Sequence, residues 1–271
     1  IKRFIPTEDK INYINSLIKV GFDIIDFGSF VSPRAVPQMK DTSYVLDQLD
    51  LSLTTSKLLS IVANLRGAKD ACKFSQIDYL GYPFSISENF QMRNTNKSID
   101  ESIVELKEIV NLSNKYNKEA VVYLSMGFGN PYGDTWNYEI VQKYIDILNN
   151  MDIKTISISD TVGSANKKDI SYVFSKVAVD YPEIEFGAHF HTKLDSWFDK
   201  IDSAYKAGCL RFDCAIQGFG GCPMAKDELT GNFPTEKLIS YFNIQNIPLK
   251  INSLQFESSY NIATKLFSTY K

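Results

Sequence analysis

Both histidines of the 271-residue chain, His189 and His191, lie two residues apart in the stretch EFGAHFHTKLD. In an extended strand, residues i and i+2 project to the same side. The two imidazoles would then emerge together and offer adjacent ligand positions to a divalent metal. A pair of hydrogen-bonded interior histidines is the other reading, and the three-residue motif alone leaves both open. A second candidate is GFGGCPMAKDELTGN (218–232), whose glycines let backbone approach a ligand and whose Cys222 supplies a thiol. A free cysteine is often just a small buried apolar residue, but glycine before Cys222 and proline after it favour a loop. Asp26, in IIDFGSFVSPRAVPQMKDT, and Asp160, in SISDTVGSAN, each close an apolar run. Singly each reads as a turn or N-cap residue. Together they put carboxylates at the same strand ends as the histidines.

These residues need elements to hold them. Short apolar runs at 22–27, 58–65, 77–82, 119–125, 155–159, 184–191 and 210–216 are rich in β-branched and aromatic residues. They are nearly apolar on both faces, as in a parallel sheet covered on both sides. Helical patterns lie between them. Residues 7–19 place Ile11, Ile14, Leu17 and Ile18 on one stripe, and SIDE (98–101) is a Ser-x-x-Glu capping box leading into Ile103, Leu106, Ile109 and Val110. Further helices are expected at 136–149, 168–180 and 196–207, the last ended by Gly208, with a final helix starting near Pro234. Strand–helix alternation of this kind predicts a (β/α)8 barrel, with active-site residues at the C-terminal ends of the strands. Seven strands are counted and the chain opens on a helix, so the first strand is expected before Ile1, outside the given sequence. A doubly wound open sheet is the runner-up, but no GxGxxG or P-loop accompanies it. No linker or composition break divides the chain, which is read as one domain over 1–271.

Composition narrows the classes. Forty-four per cent hydrophobic and 23% charged residues are those of a soluble globular protein, and a net charge of −3 gives no footprint for nucleic acid or an anionic membrane. The four cysteines form no CxxC pair and no disulfide framework, which fits a reducing interior. With no signal-peptide or membrane-spanning run, the expected location is the cytoplasm, or an organelle matrix if a transit peptide has been removed.

SFVSPRAVPQM, SDTVG, HFH and GFGGCPMA with TGN, in this order, resemble the signatures of the 3-hydroxy-3-methylglutaryl-CoA (HMG-CoA) lyase family, within the pyruvate-carboxyltransferase-like metal-dependent barrels. The similarity runs from residue 7 to about residue 240. The SFVSP and GGCP loops are specific to the lyase branch, whereas HxH is shared with related acyl-CoA condensing synthases. The resemblance implies cleavage of HMG-CoA to acetyl-CoA and acetoacetate, a step of leucine degradation, with Mg²⁺ or Mn²⁺ as cofactor and an acyl-CoA as small-molecule partner. It assigns His191 and Asn232 to the metal, His189 to the metal or to proton transfer, and Cys222 to proton transfer. Asp26 stands where the family has a glutamate near the metal's water, and Asp160 matches the aspartate of the DT-x-G segment. Ser87, Glu88, Tyr123 and Ser125 match positions lining the substrate pocket. Barrels of this type often form homodimers, which the sequence leaves open.

Three departures accompany the resemblance. The family's Arg-Asp pair at the end of strand one has no counterpart here. Thr192 replaces the usual aspartate after HxH, and the segment from Cys222 to Asn232 is one residue longer. These keep two alternatives in view: a lyase acting on another 3-hydroxyacyl-CoA, and a catalytically inactive acyl-CoA-binding barrel.

Overall fold

The computed structural model describes residues 1, 3–52, 54–192, 196–221 and 230–270. The chain forms two compact units, one of Ile1–Gly81, Asn111–Glu119 and Pro248–Lys271, the other of Tyr82–Val110 and Ala120–Ile247.

In the first unit, α1 (Thr7–Ile18) buries Ile11, Ile14 and Ile18, three members of the stripe read from the sequence. It packs on α10 (Ser253–Thr269) through an edge-on Tyr13–Phe267 pair 5.7 Å apart, and Tyr270 Oη donates to Asp9 at 2.9 Å. α2 (Thr42–Asp47) is tied to α1 through Asp41, which accepts from Lys10 at 2.7 Å and Thr7 at 2.8 Å. Strands β1 (Ile24–Ser29), β2 (Lys57–Ile61) and the start of β3 (Tyr79–Ser85) pair in parallel, in that order. The β1–β2 register slips between Asp26 and Gly28, a bulge of the kind that re-aims side chains near strand ends. The strand expected at 58–65 stops at Ile61. There Asn64 accepts the Gly67 N–H at 2.9 Å and opens α3 (Leu65–Ala71).

The second unit continues β3 and adds β4 (Glu119–Ser125), β5 (Thr155–Asp160), β6 (Glu185–Phe190) and β7 (Arg211–Asp213), again adjacent in chain order. β4–β5, β5–β6 and β6–β7 are parallel. Every residue of β5 is buried, as a parallel strand covered on both faces requires. The helices are α4 (Glu88–Thr95), α5 (Ile99–Lys115, which runs on into the first unit), α6 (Tyr138–Asn149), α7 (Lys167–Asp180), α8 (Trp197–Lys206) and α9 (Thr235–Ile244). The capping box is formed: Glu101 accepts the Ser98 N–H at 2.8 Å and Ser98 Oγ accepts the Glu101 N–H at 3.1 Å. All seven expected strands are present. Four helices, α2, α3, α4 and α10, add to the expected set. Among the described residues no helix is long and apolar enough to cross a membrane.

Candidate active site at the C-terminal ends of β4 to β7

Alternation along β6 sets the direction of the two histidines. Phe190 packs outward on Phe174 of α7 and on Phe128, with ring centroids 6.3 and 5.8 Å apart. His189 and His191, on either side of it, therefore face the other way. Their rings meet edge-on at 5.5 Å, and Tyr123 of β4 stands edge-on to His189 at 5.3 Å.

Each imidazole is oriented by an acceptor. Parallel β6–β7 register puts Asp213 opposite His189, and its carboxylate lies 3.3 Å from His189 Nδ1. His191 Nδ1 lies 3.0 Å from the Thr230 carbonyl. A carbonyl and an ionised carboxylate can only accept, so both Nδ1 atoms point a proton at their partners. Burial lowers the His191 pKa to about 4, and the neighbouring His189 adds to the effect, so His191 is neutral near pH 7. Burial alone would raise the Asp213 pKa. The hydrogen bond and charge of His189 and the charge of Arg211 outweigh it and hold the carboxyl below its usual value.

Asn232 is brought to His191 by an antiparallel bridge. Its Nδ2 donates to the Phe219 carbonyl at 2.8 Å, which leaves the amide oxygen as an available acceptor. The glycines before Cys222 make this possible. A Cβ on Gly220 would lie 2.7 Å from Asn232 Nδ2, and one on Gly218 would lie 2.6 Å from the Asn232 carbonyl oxygen, and both have positive φ. Two imidazole nitrogens and an amide oxygen, each fixed by a second hydrogen bond, form a donor set suited to a divalent cation. Among the described residues no group of three His, Cys, Asp or Glu is placed to hold a metal, so the fit rests on these three donors.

The remaining sequence candidates divide. Asp160 ends β5 fully buried, and its carboxylate accepts from Lys200 Nζ at 2.5 Å and from the N–H groups of Ser164 and Ala165 at 2.9 and 3.2 Å. It holds the turn after β5. Ser125 is buried at the end of β4, where its carbonyl accepts from Ile86 N–H at 3.2 Å. Ser87 caps α4, accepting from Phe90 N–H at 3.2 Å and donating to Asp134 at 2.5 Å. Glu88 accepts from Ile99 N–H at 3.1 Å. Of these bonds none reaches a histidine side chain, although the Asp160 carbonyl accepts from the His191 N–H at 3.2 Å. Asp26 belongs to the first unit, where it is exposed at the β1 bulge. Cys222 lies outside the described residues.

Three residues at the histidine pair were not singled out in the sequence: Asp213, Thr230 and Lys200. Asp213 had a signal, because a parallel neighbour of the HxH strand must place some side chain beside His189. Lys200 also had one, as a lysine in the same stripe of α8 as the buried Ile201 and Ala204.

A family model described as HMGL-like matches residues 1–262. The chain belongs to the HMGL-like family. The hydroxymethylglutaryl-CoA lyase of Bacillus subtilis is 31% identical over 249 residues, covering 92% of this chain and 82% of that protein. A 3-hydroxy-3-isohexenylglutaryl-CoA/hydroxymethylglutaryl-CoA lyase of Pseudomonas aeruginosa is 28% identical over 242 residues, covering 89% and 80%. The structure of an HMG-CoA lyase from Acinetobacter baumannii, in complex with coenzyme A and 3-methylmalate, superposes with a TM-score of 0.91 at 27% identity, over 98% of this chain and 86% of that one. The (β/α)8 barrel class expected from the sequence is thus the fold class of this HMGL-like chain, with seven strands among its described residues.

Proposed function

We propose that this protein is an HMG-CoA lyase that cleaves 3-hydroxy-3-methylglutaryl-CoA to acetyl-CoA and acetoacetate. The observation that carries the reading is the cluster of His189, His191 and Asn232, each with one polar atom anchored and the other available, in a chain similar over nearly its whole length to lyases of that name. His191 Nε2 and the Asn232 amide oxygen would hold a divalent cation, Mg²⁺ or Mn²⁺. Bound there, it would polarise the substrate's hydroxyl and carboxyl oxygens and orient the acyl chain.

The chain's own groups would move the protons. His189, its Nδ1–H held by Asp213, would use Nε2 either as the base for the tertiary hydroxyl proton or as a further donor to the cation. As that O–H bond breaks, a carbonyl forms and the adjacent C–C bond cleaves, its electron pair passing to the acetyl-CoA enolate. The Cys222 thiol is the proposed acid that protonates this carbon. Tyr123 restrains the His189 ring from the side, and Ser125, Ser87 and Glu88 are proposed to line the acyl-CoA approach. Asp160 is proposed to keep the metal side of the site in place.

The test is direct. Protein expressed from its complete reading frame and given Mg²⁺ or Mn²⁺ should release acetoacetate from HMG-CoA, read by coupled NADH oxidation, and EDTA should abolish the release. Absence of acetoacetate would overturn the reading. The Pseudomonas aeruginosa relative, whose name carries two acyl groups, favours one second reading: a lyase for a longer 3-hydroxyacyl-CoA. Turnover of a branched-chain analogue faster than HMG-CoA would select it. A cytoplasmic location, a single catalytic domain and a homodimer belong to the same proposal, to be checked by fractionation, limited proteolysis and sedimentation.

A further inference from the structure

Lysine is almost never fully buried unless it is paired. The Lys200 side chain is 2% exposed and that of Asp160 is 1% exposed. The ammonium has three N–H donors and finds three acceptors: Asp160 Oδ2 at 2.5 Å, the Gly163 carbonyl at 3.0 Å and the His191 carbonyl at 2.9 Å. A helix residue thus grips the main chain of His191 itself and, at the same time, the turn that follows β5. That turn reaches onward. The Val162 carbonyl accepts from Thr230 Oγ1 at 3.3 Å, and the Thr230 carbonyl receives the His191 Nδ1–H at 3.0 Å. Gly231 then accepts from Thr192 N–H at 3.1 Å, and Asn232 bridges to His191. The contacts close a ring: Lys200, His191, Thr230, Val162, the 160–165 turn, Asp160, and back to Lys200.

We propose that Lys200 is a positioning residue for the metal-binding end of β6, an inference that rests on the metal reading of His191 and Asn232. Its ammonium sets the height of the His191 backbone on one side. Through the Asp160 turn and Thr230 it sets the carbonyl that orients the His191 ring and the segment that delivers Asn232. A buried ion pair adds little net stability over well-packed apolar side chains. What this one supplies is the relative placement of two donor atoms that come from different segments.

The same pair dictates the variants. Lys200→Met leaves the Asp160 carboxylate buried without its cation, so the folding-safe variant is D160N/K200M, which removes both charges. Lys118→Met is the control, because Lys118 is also buried but lies in the first unit and donates to the carbonyls of Phe74 and Ile77. The measurement is Mn²⁺ affinity by calorimetry, with the Mn²⁺ EPR line shape as a second readout, on the full protein. The expected result is a loss of Mn²⁺ affinity of about tenfold or more in K200M and in D160N/K200M, the range in which groups behind metal ligands act. The EPR line shape should change, kcat should fall, and the KM for HMG-CoA should move by less than about threefold, with K200R recovering part of the affinity. K118M should lower the melting temperature and keep Mn²⁺ affinity within about twofold. Affinity within twofold of the parent in D160N/K200M would overturn the role of Lys200. A parent protein that binds no Mn²⁺ would overturn the metal reading beneath it.

Discussion

Lys118 and Lys200 are both buried, yet the regions around them use the charge differently. Lys118 lies just before β4 and points at the turn before β3, where its ammonium donates to Phe74 at 2.7 Å and Ile77 at 2.6 Å. Both acceptors belong to one turn, and burial pulls the Lys118 pKa down, with neighbouring Cys72 and Asp78 opposing. Lys200 pairs with a carboxylate and joins the ends of two strands. The first arrangement supplies the Ile77 carbonyl with a donor and adds a second to the Phe74 carbonyl, which the Ile77 N–H already reaches at 3.4 Å. The second adds a side-chain clamp where the β5–β6 ladder ends, beyond the His191 N–H that donates to the Asp160 carbonyl at 3.2 Å, and ties in the turn after β5 beside the candidate donors. Buried charge alone therefore carries no functional message; what it connects does.

The largest effect belongs to His191→Ala, which removes a donor atom and the partner of Thr230. Cleavage should drop by well over about a hundredfold, beyond the range seen for groups behind the metal, with Mn²⁺ binding lost in parallel. Retention of tight Mn²⁺ binding by this variant would move the metal away from β6. Asp213→Asn comes next, with a fall in kcat of about 10- to 100-fold and a modest change in Mn²⁺ affinity. An amide can present its NH2 to Nδ1 and so favour the wrong tautomer, and a kcat unchanged in this variant would remove His189 from proton transfer.

Lys118→Met should cost about 1–3 kcal/mol, the penalty for leaving the Ile77 carbonyl without the ammonium that donates to it, while activity stays within twofold. Loss of activity at unchanged melting temperature would erase the distinction between the two lysines. Tyr123→Phe should be the mildest. Its edge contact with His189 uses the ring, so the change should stay within about threefold, whereas Tyr123→Ala forfeits an aromatic contact of about 0.5–1.5 kcal/mol.

The same contrast explains what could be read from the sequence. The strands were legible because their apolar runs are bounded by turn residues, and the HxH pair because period two is a local property. The short helices α2, α3 and α4 span six to eight residues, too few turns for a periodic stripe to emerge. The run through Leu65 looked like strand, but the Asn64 side chain stops it by capping a helix. The sequence reading ends with one helix starting near Pro234, whereas the structure has a further helix, α10, that Asn252 opens by accepting the Gln255 N–H. At the site, Asn232 and Cys222 were singled out through the family signature and the glycine loop. Asp213 was not, because its partner is fixed by register between strands rather than by spacing along one. Lys200 was passed over because a helical lysine ordinarily faces water, and only packing against Asp160 turns it inward.

The central claim is that this protein breaks the C–C bond of HMG-CoA with groups held on β6 and the segment ending at Asn232. The most direct measurement follows ¹³C-labelled HMG-CoA by NMR in D₂O, with Mn²⁺ exchanged for Mg²⁺ to keep lines sharp. Acetoacetate and acetyl-CoA should appear one to one, with one solvent deuteron in the acetyl-CoA methyl group, and neither should form with His191→Ala. Intact HMG-CoA after prolonged incubation with the metal-loaded parent protein, or equal turnover by the His191 variant, would contradict the account.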